Sequence, residues 1–125
     1  MPVNIKVIHT KDFVKITVKG VLDFALSRQA LLDIASQIEQ SGQYKILVDT
    51  REAKTVLTTV AIFELAKTLT AHHSIRRNKI ALLTLMSQAK QARFFEDVAV
   101  NRGVRVKSFT DFDEAIAWLV TQEAS

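Results

Sequence analysis

The residues best able to do chemistry stand at the ends of apolar runs. Asp49-Thr50-Arg51 follows Ile46-Leu47-Val48, Thr58 and Thr59 precede one helical pattern, and Ser87 and Gln88 precede another. Open α/β sheets bind ligands beyond the carboxyl ends of their strands, and helix N-termini present free amides. A carboxylate, a guanidinium and several hydroxyls gathered there could hold an anion or a small polar ligand. The same residues have a plainer use: Asp49 bonding nearby backbone amides, and Thr58 or Thr59 capping the helix that follows. We prefer the plainer use.

Arg76, Arg77 and Lys79 form the densest basic cluster. Such a cluster can contact phosphates or acidic side chains. No aromatic residue interleaves with it, so a stacking platform for single strands is not indicated. Solvated charge at a helix–strand junction is the simpler account, which leaves nucleic acid or an anionic surface as the weakest of the readings. His72 and His73 are adjacent, and neighbours on a helix point about 100° apart. A metal pair would sit at i, i+4, and His9 is remote in sequence. A helix C-terminus explains these histidines better than a metal does. We expect no metal and no cofactor.

Other chemistry lacks its parts. There is no Gly-x-Ser-x-Gly elbow, no phosphate-cradling glycine loop and no zinc motif. Three glycines and no cysteine leave little material for a nucleotide loop, and none for a disulfide or thiolate chemistry. The chain is therefore expected not to be an enzyme.

The elements that must position these residues are legible in the periodicity. Residues 4–9 and 13–19 alternate apolar and polar, with Thr10-Lys11-Asp12 between them, as in a hairpin at a sheet edge. From Ser27, Leu31, Ile34, Ala35 and Ile38 form one helical stripe that stops at Ser41-Gly42. Residues 44–49 are a buried strand ending at Asp49. Residues 59–71 are a helix with the stripe Ile62, Leu65, Ala66 and Leu69. Residues 79–85 are a second buried strand. Ser87 would cap a helix over 88–101, with Arg102-Gly103 as its stop. Val104, Val106 and Phe109 alternate with charge, which marks the opposite edge. Asp111 and Glu114 have the spacing of a capping box for the last helix. The order ββαβαβαβα calls for a mixed, mostly parallel five-stranded sheet with four helices.

With 125 residues, 48% hydrophobic and 24% charged, the chain has the size and balance of one globular domain spanning 1–125. The net charge is +4 and unevenly placed: the segment 67–107 carries nine basic and two acidic residues. No apolar run is long enough to cross a membrane. The N-terminus lacks the apolar stretch of a secretory signal, and we expect a cytoplasmic protein.

Three stretches resemble the SpoIIAA-like family, whose fold is that of the STAS domains. They are Lys45-Ile46-Leu47-Val48-Asp49-Thr50-Arg51; Arg76-Arg77-Asn78-Lys79-Ile80-Ala81-Leu82; and Val106-Lys107-Ser108-Phe109-Thr110-Asp111-Phe112-Asp113-Glu114-Ala115-Ile116-Ala117-Trp118-Leu119. The last is the most specific. The resemblance implies regulation through protein contacts, as in anti-anti-sigma factors and the regulatory domains of transporters. The fold has also been compared with lipid-transfer domains of the CRAL-TRIO type. Anti-anti-sigma factors carry a phosphorylatable Ser after the third strand in an Asp-Ser-Ser/Thr-Gly setting. This chain has neither that Ser nor that Gly. Thr58 and Thr59 are the nearest hydroxyls, and so the phosphorylation candidates that the resemblance offers.

The first expectation is thus a non-enzymatic STAS-like module acting through a protein partner, with a homodimer as one form. The alternative is a carrier of a small lipid or amphiphile in an apolar pocket between helices. The broad apolar faces that include Ile62, Phe63 and Leu65, and Phe94, Phe95 and Val98, motivate it.

Overall fold

The computed structural model describes residues 4–41, 45–71 and 78–121. Five strands, β1 (Asn4–His9), β2 (Val14–Leu22), β3 (Lys45–Thr55), β4 (Lys79–Leu83) and β5 (Arg105–Phe109), form one sheet in the order β1-β2-β3-β4-β5. β1 runs antiparallel to β2, and every other pair is parallel. The hairpin is closed by Thr10, whose hydroxyl donates to the Phe13 carbonyl at 2.7 Å. The element order and the mixed five-stranded sheet match the periodicity.

Helices α1 (Phe24–Ser41), α2 (Thr59–Thr70) and α3 (Ala89–Asn101) cover one face of the sheet, and α4 (Phe112–Val120) covers the other. The larger core joins Val14, Ile16 and Val18 of β2 to Ile46 and Val48 of β3, and to the stripe Ile34, Ala35 and Ile38 of α1. The smaller core packs Leu47, Ala81 and Leu83 under Ala115 and Leu119 of α4. Successive strand residues point to opposite faces, so β3 and β4 are apolar on both. Burial of seven large aliphatic groups, including Ile16, Ile46 and Leu119, is essentially complete.

Caps fix where the helices begin. Asp23, not Ser27, opens α1: its Oδ1 accepts from the Leu26 amide at 2.8 Å. Thr58 caps α2, accepting from the Ala61 amide at 3.1 Å. Asp111 caps α4, accepting from the Glu114 amide at 2.9 Å. Ser87 does not cap α3. It lies in a single 3-10 turn, Met86–Gln88, and α3 starts behind Gln88 with no side-chain cap. Arg102 and Gly103 end α3 as expected, and Gly103 has φ +91°, which favours a residue without a Cβ. The Gly42 stop lies outside the described residues.

One irregularity has large consequences. β3 runs six residues past Asp49, because β2 continues to Leu22 and pairs with it. Between Thr17 opposite Asp49 and Lys19 opposite Glu52, β3 holds one residue more than β2, the signature of a bulge. A one-residue slip reverses which side chains face the core. Val48 and Thr50 face α1–α3 before the bulge, and Ala53 and Thr55 face them after it. Glu52 and Lys54 are thereby turned out to solvent.

Candidate functional site

The sequence placed Asp49, Thr50, Arg51, Thr58, Thr59, Ser87 and Gln88 together at the end of a strand. The structure separates most of them, and of the seven it brings Thr50 and Gln88 to one cavity. Asp49 and Arg51 lie on the α4 face in mid-strand. Thr50 lies on the opposite face, and its hydroxyl donates to the Leu83 carbonyl at 2.9 Å. Thr58 and Thr59 are both exposed, with the Thr58 hydroxyl engaged as the α2 cap. Ser87 is exposed on its 3-10 turn, and Gln88 turns towards Thr55.

Asp49 is buried and fully engaged. Its Oδ1 accepts from the Arg51 Nε at 3.0 Å and from the Arg51 amide at 3.1 Å, and its Oδ2 accepts from Arg51 Nη2 at 2.9 Å. Lys15 Nζ stands 3.9 Å from Oδ2. Burial pushes the carboxyl up, but the hydrogen bonds from the Arg51 side chain and amide outweigh it, together with the Arg51 and Lys15 charges. The pKa lies below the ordinary carboxylate value. Arg51, held by those hydrogen bonds, is raised in turn. Both cations lie over the Phe112 ring, Lys15 at 5.6 Å and Arg51 at 5.8 Å from its centroid. This is a bidentate ion pair within β3, its cations packed against Phe112 of α4, and it leaves the Asp49 carboxylate engaged rather than idle for acid–base work.

Lys79 also departs from expectation. It is not solvated charge at a junction: it is 5% exposed, and its Nζ donates to the carbonyls of Trp118 and Thr121. It also sits 4.5 Å from the centroid of the Trp118 ring. A lysine there serves the unsatisfied carbonyls and negative dipole end of α4. Arg76, Arg77, His72 and His73 lie outside the described residues.

The most site-like feature is a cavity of about 180 Å³ between the sheet and α1, α2 and α3. Val18, Val48, Ile80 and Val106 form its floor. Leu31, Ile34 and Ile38 of α1, and Ile62, Leu65 and Leu69 of α2, form two walls, each set spaced i, i+3, i+7. Space exists because small residues stand on three sides: Ala30 on α1, Ala53 on β3 and Ala92 on α3. Apolar cavities near 150 Å³ stay dry and accept benzene-sized ligands.

Among the described residues, every polar one lining the cavity is uncharged: Ser27, Thr50, Thr55, Thr84, Gln88 and Gln91. Thr55 Oγ1 donates to Gln91 Oε1 at 3.1 Å, and Gln88 Nε2 donates to the Thr55 carbonyl at 3.4 Å. The Ser27 hydroxyl is buried and has no hydrogen-bond partner among the described residues. Exposed apolar residues adjoin this end of the molecule: Val56 between Thr55 and Leu57, Val60 at the start of α2, and Met86 just before Gln88. Sequence reasoning anticipated a pocket between helices but named neither Ser27 nor Gln91. A serine inside an apolar helix stripe was the available signal. Phe63, counted towards that pocket, lies instead at the surface beneath Lys67 and Arg102.

A second, more open hollow runs between α3 and β5, where Lys90, Arg93 and Lys107 meet Ser108 and Thr110. It concentrates part of the basic excess noted in the sequence. Among the described residues, no helix is long and apolar enough to cross a membrane.

The architecture, a mixed sheet with three helices on one face and a capped fourth on the other, is the one seen in anti-sigma factor antagonists. An anti-sigma factor antagonist from Mycobacterium paratuberculosis superposes with a TM-score of 0.67 at 11% identity, over 94% of each chain. An uncharacterised protein from Shewanella loihica with a SpoIIAA-like fold gives 0.57 at 18% identity, over 94% of this chain and 93% of that one. The phosphorylated Bacillus cell-fate determinant SpoIIAA gives 0.51 at 17%, over 94% of this chain and 98% of that one. At these identities the likeness shows the fold. The sequence profile of the SpoIIAA-like family matches residues 13–120, and the chain belongs to that family. No curated protein is similar enough to count as a relative.

Proposed function

We propose that this chain is a non-enzymatic binding domain that holds a small amphiphile in the cavity beneath α1, α2 and α3. The observation that carries the reading is the cavity itself: about 180 Å³, walled by aliphatic stripes from α1 and α2 and closed by Ala92 and Phe95 of α3, with the described polar groups confined to hydroxyls and amides. Pockets of this kind, largely apolar with a few convergent polar groups, are the usual form of small-molecule sites. The engaged state of Asp49 supports a non-enzymatic role. The absence of cysteine suits the cytoplasm. Native mass spectrometry of protein purified under mild conditions tests the proposal. A co-purifying apolar small molecule, displaced by excess octanol, is expected. A bare mass, with no change in the NMR spectrum on adding benzene or octanol, would contradict it.

A second reading is regulation through protein contacts, including contact with another copy of this chain. The fold shared with anti-sigma factor antagonists favours it. So do the large apolar groups left exposed at Val56, Val60 and Met86, 78%, 70% and 76% accessible. A concentration-dependent mass in sedimentation equilibrium, abolished by Val60→Lys, would support self-association. A monomer at all concentrations would remove the homodimer.

A further inference from the structure

We infer that the ligand's polar end is uncharged: an alcohol, ester, amide or ketone on a small apolar body, and not a carboxylate, phosphate or ammonium. The inference rests on the amphiphile reading and names its ligand class. Among the described residues, the lining contains no Asp, Glu, Lys or Arg. The β3 bulge brings this about locally, because without the extra residue Glu52 and Lys54 would occupy the cavity side where Ala53 and Thr55 now stand. An ion placed against these aliphatic walls meets no counter-charge among the described residues, and burial without one is strongly unfavourable.

A second observation is independent of the lining's charge. Ser27 is 9% exposed and lines the cavity, and its Oγ has no partner among the described residues. Buried hydroxyls are nearly always hydrogen-bonded, and an unsatisfied one is destabilising. The other polar groups at the cavity are largely engaged with one another: Thr50 with the Leu83 carbonyl, and Thr55 with Gln91. Among the described residues, Ser27 is thus the fully buried hydroxyl at the cavity with unused capacity. As a hydroxyl it can donate to a ligand oxygen or accept from a ligand O–H or N–H. Either suits a neutral head, and a single hydroxyl cannot neutralise a charged one.

The test is isothermal titration of the full chain with octanol, octanoate, octylammonium and benzene at a pH of about 7. Octanol is expected to bind, and both ions to bind at least about a hundred-fold more weakly. Ser27→Ala should weaken octanol about three- to ten-fold and leave benzene unchanged. It should not lower the thermal midpoint, because it removes an unsatisfied group, whereas a structural hydroxyl would be missed. Octanoate or octylammonium binding within ten-fold of octanol would overturn the inference. If Lys90→Ala or Arg93→Ala then weakened octanoate, the head would belong to the basic hollow instead. Benzene binding with octanol indifferent to Ser27→Ala would also overturn the inference while leaving the amphiphile reading standing. Binding of none of the four probes would remove both.

Discussion

Replacing Asp49 by Asn separates a structural ion pair from a catalytic one. The carboxylate is buried and receives two hydrogen bonds from the Arg51 side chain and one from the Arg51 amide, with Lys15 near by. Removing one partner of a fully buried pair costs about 3–5 kcal/mol. The Arg51 side chain keeps 38% of its accessibility, so water recovers part of that loss, and about 2 kcal/mol is the expected cost. Unfolding entropy of about 2 cal/mol/K per residue over 125 residues converts this to a melting midpoint roughly 8 °C lower. The pH dependence carries a definite sign. The folded carboxyl titrates below its ordinary value of 3.8. Its contribution is therefore complete above that unfolded value and is lost as the pH falls through the folded one. Urea unfolding of wild type and Asp49→Asn should show a gap that is constant near neutrality and closes in acid, below a pH of about 4. A cost under about 0.5 kcal/mol at neutral pH, within the range of ordinary surface substitutions, or a gap that persists unchanged into acid, would refute the ion-pair account.

Thr58→Ala should cost about 1 kcal/mol through loss of the α2 cap, with faster amide exchange in the first turn of α2, while the exposed neighbour substitution Thr59→Ala should be close to silent. Lys79→Ala should cost about 2 kcal/mol, since it strips two carbonyls at the end of α4 of their donor; emission from Trp118, the chain's one tryptophan, should shift with it. An unchanged stability and an unchanged spectrum would mean that the buried lysine does not pin α4.

Much of this fold could be read from local patterning. The hairpin of β1 and β2, the buried runs Ile46-Leu47-Val48 and Ile80-Ala81-Leu82-Leu83, and the Asp111 cap each announce themselves within a few residues. The second half of β3 does not. Asp49-Thr50-Arg51-Glu52-Ala53-Lys54 reads as a polar loop, and it becomes strand through pairing with residues 19–22, a contact distant in sequence. The continuation of β3 past Asp49 also scattered the expected site, because neighbouring strand residues face opposite ways: Asp49 went to one face of the sheet and Thr50 to the other. Lys79 looked like surface charge because its partners, Trp118 and Thr121, lie about forty residues on, beyond the reach of any local pattern. The cavity was half legible. Surplus apolar faces suggested a pocket, but a cavity is made by what Ala30, Ala53 and Ala92 lack, and an alanine in a stripe looks like any core position.

The most direct test of the central claim is the stability of Ala92→Leu, measured together with its affinity for octanol. Ala92 is 7% exposed and faces the cavity. If the space is there, the added branches fill it: stability should hold or rise by up to about 1 kcal/mol, and octanol binding should be lost. In a core already close-packed, the same substitution destabilises by about 1–3 kcal/mol. That result, with octanol binding absent from the wild type as well, would contradict the account.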